Sequence, residues 1–161
     1  MQIVDLSSLV LKSDEYPRGA WVLVRAKTDE GVEGVGECFV PDMYGPGVFA
    51  AKDIVDRCFK PIVEGQEVLD IHVIWERMYD VCRTIYDRRG LAIHALSGVD
   101  MALYDAAGKT LGVPVHTLLG GRFRDKIRVY ISSIWVDPEH PQTALDSTVS
   151  FVAQGFTGIK Y

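Results

Sequence analysis

Lys160 is the residue most open to a chemical reading. It stands near the carboxyl end of a predicted strand otherwise built of Phe156, Gly158 and Ile159. In parallel α/β barrels that end of a strand is where catalytic groups project toward a substrate. Taken alone, such a lysine is more often a strand-end residue that snorkels its ammonium into water. The other candidates point away from chemistry. His72, His94, His116 and His140 are isolated, with no His-x-x-x-His pair and no Cys/His cluster, so no metal site can be assembled from spacing. They read as surface or satisfied core histidines. Gly34-x-Gly36 is followed by Glu37 and a strand end rather than by a helix, which argues against a dinucleotide loop. Asp100 and Asp105 fall on the polar side of a predicted helix, where Asp105 and Lys109 form an i,i+4 pair. Their default role is solvated or capping.

These residues need a scaffold, and the hydrophobic periods supply one. Three strands are predicted first: Ile3–Leu11, then Trp21–Thr28 with Val22, Val24 and Ala26 on one face, then Val32–Phe39. Asp29-Glu30-Gly31 is a short turn, with Gly31 suited to positive φ. The segments Ser13–Gly19 and Pro41–Gly47 are loops. A helix over Phe49–Phe59 has Val48, Ala51, Val55 and Phe59 on one side, and Pro61 is expected to close it. Asp70 is expected to cap a second helix with the stripe Ile74, Trp75, Met78, Val81, Cys82 and Ile85. The strongest period belongs to a third: Ala92, Ala95, Leu96, Val99, Ala102, Leu103 and Ala106. Gly112 and Pro114 end it. Beyond the Leu118–Gly121 turn come a strand over Ile127–Ser132, a helix over Thr143–Gln154 and a strand over Phe156–Lys160. Strands and helices in one block, then β-α-β, imply two architectures. The expected division is an α+β domain over 1–124 and the opening of a parallel α/β domain over 125–161.

Composition narrows the class. The 161 residues are 48% hydrophobic and 24% charged, ordinary globular values. A net charge of −5 with no Lys/Arg block gives no footprint for nucleic acid or anionic lipid. Cys38, Cys58 and Cys82 lie within apolar patterns and read as buried thiols of a reducing compartment. The N-terminus lacks a signal-peptide pattern, and no apolar run approaches a membrane span. A cytoplasmic protein is expected.

One long pattern goes further. Gly90-Leu91-Ala92-x-x-Ala95-Leu96-Ser97-Gly98-Val99-Asp100-Met101-Ala102-Leu103-Tyr104-Asp105 continues through Gly108-Lys109, Gly112-x-Pro114-Val115 and Leu118-Leu119-Gly120-Gly121. With Val24–Glu37 before it and Gly155-Phe156-x-x-x-Lys160 after it, this resembles the mandelate racemase/muconate lactonizing enzyme family of the enolase superfamily. The resemblance covers essentially the whole chain. It implies an α+β capping domain followed by the start of a (β/α)7β barrel. It implies abstraction of a proton α to a carboxylate, with Mg²⁺ holding the developing enediolate charge while a tuned base acts.

Carried onto this sequence, the resemblance makes Lys160 the first lysine of a Lys-x-Lys motif, beside the base and in contact with the substrate carboxylate. Like charge would depress the pKa of that base. Ser132 would hydrogen-bond the carboxylate, with Ser133 the near alternative. Tyr16, Arg18 and Tyr44 would lie on the two loops that close over the site, Arg18 being suited to a carboxylate or hydroxyls. Arg18 and Tyr44 read equally as plain surface residues. The second lysine, the three carboxylate metal ligands and the His-Asp dyad of the family have no counterpart here. The sequence therefore reads as an N-terminal portion without turnover of its own, and no metal ligand is assigned. For the complete enzyme the expectation is an acid-sugar dehydratase, a homo-oligomer acting on a small-molecule carboxylate. A racemase, epimerase or cycloisomerase is the alternative within the superfamily, and a non-catalytic capping or interaction module the alternative outside it.

Overall fold

The computed structural model describes all residues except 13–19, 41–46, 87, 133 and 135, with backbone alone at 85 and 86. The described residues form two compact units, Met1–Gly121 and Arg122–Tyr161.

In the first unit β1 (Ile3–Lys12), β2 (Ala20–Thr28) and β3 (Glu33–Cys38) make an antiparallel sheet in chain order. Period-2 alternation decides its faces. Val22, Val24 and Ala26 are fully buried, whereas Arg25 and Lys27, on the opposite face, are exposed. Gly31, at φ 83°, closes the β2–β3 turn, and the buried Thr28 hydroxyl accepts a hydrogen bond from the Val32 amide at 3.0 Å. That bond removes the cost of burying a polar group.

Helices cover the inner face. A helical run starts as α1 (Gly47–Asp53), widens into a π-helical stretch over Ile54–Phe59 and tightens again as α2 (Lys60–Val63). Pro61 does not close it, contrary to expectation. Lys60 opens a new α-segment, so Pro61 falls in a first turn where a missing N–H breaks no helical bond. The stripe Val48, Ala51, Val55, Phe59 is buried as predicted, and Val63 extends it. Asp5 on β1 ties this run to the sheet through Lys60 at 2.8 Å, and the Lys60 ammonium holds the Asp5 carboxyl below its usual range.

Next comes α3 (Ile71–Val81), which continues as a π-helical turn over Cys82–Tyr86 and buries Ile71, Ile74, Met78 and Cys82. Asp70 occupies the N-cap position, but its side chain makes no capping bond. Its ψ of 39° lies outside the extended region that aims a cap side chain at the first turn, and only its carbonyl accepts, from Ile74 N at 2.9 Å. All seven residues of the predicted third stripe are buried on α4 (Leu91–Leu111). Gly112, left-handed at φ 66°, ends that helix, and a short α5 (Val115–Leu118) follows.

The seam between α4 and β3 explains the small residues. A Cβ on Gly36 would lie 2.0 Å from the Gly98 carbonyl oxygen, and one on Gly34 would lie 2.1 Å from that of Ala102. Gly34-x-Gly36 is thus a close-packing device, consistent with its lack of a following helix. Asp105 and Lys109 lie along the same seam. The Asp105 carboxylate accepts the Val35 amide at 2.8 Å, and the Lys109 ammonium donates to the Glu33 carbonyl at 2.7 Å. Together they satisfy one donor and one acceptor on β3, the sheet's edge strand, where unpaired groups invite pairing with another chain. They are edge clasps rather than merely solvated charges.

In the second unit the predicted strands Ile127–Ser132 and Phe156–Lys160 do not form a ladder. They meet in a single parallel bridge, Ile131 with Ile159. Parallel strands gain regularity from neighbours on both edges, and each of these segments has one. The intervening helix, α6 (Pro141–Ala153), buries Ala144, and its Phe151 meets Phe156 edge-on at 6.1 Å.

A candidate anion-binding face at the parallel bridge

The bridge fixes which side chains stand together. Ile131 N donates to Gly158 O at 3.0 Å, and Lys160 N donates to Ile131 O at 2.8 Å. With Ile131 opposite Ile159, Ser132 falls opposite Lys160 and Tyr130 opposite Gly158. Alternation then places Tyr130, Ser132, Gly158 and Lys160 on one face, and Ile131, Ile159 and Tyr161 on the other. The second face belongs to α6, because the Tyr161 hydroxyl and the Thr148 hydroxyl lie 2.9 Å apart.

The first face is open. The Lys160 ammonium lies 5.8 Å from the centroid of the Tyr130 ring, within cation–π range. Gly158 permits this closeness, since a Cβ there would lie 3.0 Å from Tyr130 Cβ. Arg128 donates from Nε to the Thr157 hydroxyl at 2.9 Å and from a terminal nitrogen to the Thr157 carbonyl at 2.8 Å, bracing the start of the pair. A groove of about 340 Å³ runs along Arg128, Val129, Tyr130, Gly158 and Ile159. Lys160 and Ser132 are both exposed. Among the described residues no carboxylate pairs with the Lys160 ammonium. An exposed cation beside a hydroxyl on an uncovered sheet face can hold an anion, and a carboxylate suits both groups.

Of the expected site residues, Lys160 and Ser132 are thus brought side by side. Tyr16, Arg18 and Tyr44, and the alternative Ser133, lie outside the described residues. Tyr130 was missed from sequence. Its signal was available, two residues before Ser132 and on the same face by parity. Among the described residues no group of three or more His, Cys, Asp or Glu could hold a metal ion. The side chains described therefore do not fit Mg²⁺, and no chemical step is derived through one. No helix among them is long and apolar enough to cross a membrane.

A three-stranded meander backed by helices, followed by an opening βαβ unit with a cation at its second strand end, is the layout of an enolase-type cap and barrel start. The pattern described as Mandelate racemase / muconate lactonizing enzyme, N-terminal domain, matches residues 12–120. D-xylonate dehydratase of Haloferax volcanii is 35% identical over 161 residues, covering 99% of this chain and 36% of that protein. D-galactonate dehydratase of Verminephrobacter eiseniae is 38% identical over 141 residues, covering 87% of this chain and 34% of that protein. Among solved structures, a mandelate racemase/muconate lactonizing protein from Paracoccus denitrificans PD1222, complexed with magnesium, is 30% identical with a TM-score of 0.73. The match covers 95% of this chain and 38% of that one. The chain belongs to the mandelate racemase/muconate lactonizing enzyme family of the enolase superfamily. It spans about a third of the length of the curated relatives it matches.

Proposed function

We propose that the chain contributes the cap and the carboxylate-holding part of the site of an acid-sugar dehydratase. The reaction removes the proton from the carbon next to a sugar acid's carboxylate and expels the hydroxyl of the following carbon as water. The resulting enol becomes a 2-oxo-3-deoxy acid. The α-proton is weakly acidic, so the carboxylate must be held where its growing charge is stabilised. In this reading Lys160 pairs with the carboxylate and Ser132 donates a hydrogen bond to it. Tyr130 keeps the ammonium on the open face; Tyr16, Arg18 and Tyr44 are proposed as contacts for the sugar hydroxyls on the resemblance alone. The reading assigns none of the described residues as the base or as a metal ligand, and gives this chain binding and orientation. Mg²⁺ is proposed for the whole enzyme on the resemblance alone.

One observation carries the reading: the parallel bridge sets Lys160 and Ser132 side by side on the face away from α6. The dehydratase names of the two relatives support the reaction class. The test is to titrate the isotopically labelled chain with D-galactonate and, separately, with the uncharged alditol of the same stereochemistry. Amide shifts at Ile131, Ser132, Ile159 and Lys160 are expected with the acid alone, and are expected to vanish in Lys160→Met. Equal shifts with the alditol, or acid-dependent shifts confined to other residues, would sink the reading. Dehydration of D-xylonate or D-galactonate by the 161-residue chain itself would refute the assignment of binding without chemistry.

A further inference from the structure

The two segments that carry the proposed carboxylate site have little backbone to fix their alignment. Among the described residues one bridge joins them, through Ile131 N to Gly158 O and Lys160 N to Ile131 O. Register decides which face a side chain takes, because shifting a strand by one residue turns every side chain to the opposite face. A one-residue slip of Phe156–Lys160 would therefore carry Lys160 to the α6 face, away from Ser132 and Tyr130. Backbone bonds do not choose against that slip, since every residue but proline offers the same amide and carbonyl. The side chains must choose.

Arg128 is placed to do so. Its Nε donates to the Thr157 hydroxyl at 2.9 Å, and a terminal nitrogen donates to the Thr157 carbonyl at 2.8 Å. The rigid guanidinium fork thus grips one residue at two points, a side-chain oxygen and a backbone oxygen. Phe156 and Gly158 flank Thr157, and neither has a side-chain acceptor. A slip of one residue either way leaves half of the fork empty. The neighbouring contacts discriminate less. Tyr161 holds Thr148 on α6 rather than the facing segment. Gly158 favours the same register by leaving room for Tyr130, but adds no side-chain bond.

We infer that Arg128 is a positioning residue, which locks the register that sets Lys160 beside Ser132. It acts through Thr157 and does not hold the acid itself. Both of its bonds are exposed, so the fork biases the register rather than forcing it. Apparent affinity for an acid then scales with the fraction of chains in the right register. The part Arg128 plays in binding rests on the carboxylate reading of Lys160; the part it plays in register does not.

Nuclear magnetic resonance of the isotopically labelled full chain separates the two. Without acid, the Tyr130 ring shifts the terminal methylene protons of Lys160 upfield only while both stand on one face. Arg128→Met and Thr157→Val are each expected to reduce that shift to about half or less. Thr157→Ser keeps the hydroxyl and is expected to preserve it. In the two damaging variants the dissociation constant for D-galactonate is expected to rise by the inverse factor, about twofold or more. Thr157→Val retains the Arg128 charge, so a role in mere electrostatic attraction would spare it. An upfield shift unchanged in both Arg128→Met and Thr157→Val overturns the proposal. So does a reduced shift with unchanged acid affinity, or weaker binding in Arg128→Met alone. A wild type that binds no D-galactonate sinks the carboxylate reading, and the acid-free spectra still decide the register.

Discussion

Adding a single methyl group at Gly36, as at Gly34, should be among the most damaging small changes in the first unit. The new Cβ would lie 2.0 Å from the Gly98 carbonyl oxygen, 2.8 Å from Ala102 N and 3.0 Å from Met101 Cβ. The first two are backbone atoms of α4, so no side-chain rotation can relieve the overlap. The helix must lift from β3 by more than an ångström to restore ordinary contact. Lifting it would loosen Ala95, Ala102 and Ala106, all fully buried. Overpacking a core costs about 1–3 kcal/mol, and a rigid backbone obstacle belongs at the top of that range. For a unit of this size 1 kcal/mol corresponds to roughly 4 °C, so Gly36→Ala is expected to lower the thermal midpoint by roughly 12 °C. Urea and thermal denaturation of the full chain measure both quantities. Gly31→Ala is the control, because nothing lies within 4 Å of that Cβ and only the φ of 83° opposes it. It should cost about 1–2 kcal/mol. If Gly36→Ala came within about 0.5 kcal/mol of wild type, the close-packed seam would be refuted.

Three further outcomes follow from burial and side-chain contacts. Burial pushes the Asp100 carboxyl above its usual range, while the nearby charge of His72 pulls against that. A raised carboxyl favours the folded state below its unfolded pKa and loses that contribution as pH rises through the folded value. Asp100→Asn should therefore raise the midpoint at pH 7 by roughly 1–3 °C, with the gain fading toward pH 4; a constant gain down to acid pH would contradict this. The Cys38 thiol is pushed up to about 12, mainly by burial, and the buried Cys82 is raised too. Alkylation at pH 8 should mark Cys58 first and leave Cys38 protected until the chain unfolds, as peptide mass mapping would record. The Tyr130 ring should shift the terminal methylene protons of Lys160 upfield. That shift should survive Tyr130→Phe and disappear in Tyr130→Leu, and identical spectra would remove the pairing.

The first unit was legible because its periods are strong. Seven small or branched residues on one face of α4 can only mean close burial, and Val22, Val24 and Ala26 fix the inner face of β2 by alternation alone. Helix ends were less legible. Pro61 marks a stop in a continuous α-helix, but a π-helical stretch resets the hydrogen-bond register just before it, and no local residue signals that reset. The second unit was half legible. Its apolar runs and the helix between them were readable. How far the two runs pair depends on strands beside them, which no local pattern encodes.

The contrast separates what identifies the family from what could do its chemistry. The long motif from Gly90 to Gly121 is mostly packing: Gly98 meets Cys38 on β3, Ala102 and Ala106 meet Gly34, and Asp105 with Lys109 clasps the strand edge. Close contact between two backbones leaves few residue types allowed, so the motif is long and easily recognised. The candidate anion site makes no such demand. An ammonium, a hydroxyl and a ring on one exposed face need only the right parity and one hydrogen-bonded register, and many sequences provide that. Lys160 therefore gains its meaning from Ile131 and Gly158, which bond across the bridge and turn Ser132 and Tyr130 to its side. The residues that show the family most clearly are those least able to act on a substrate.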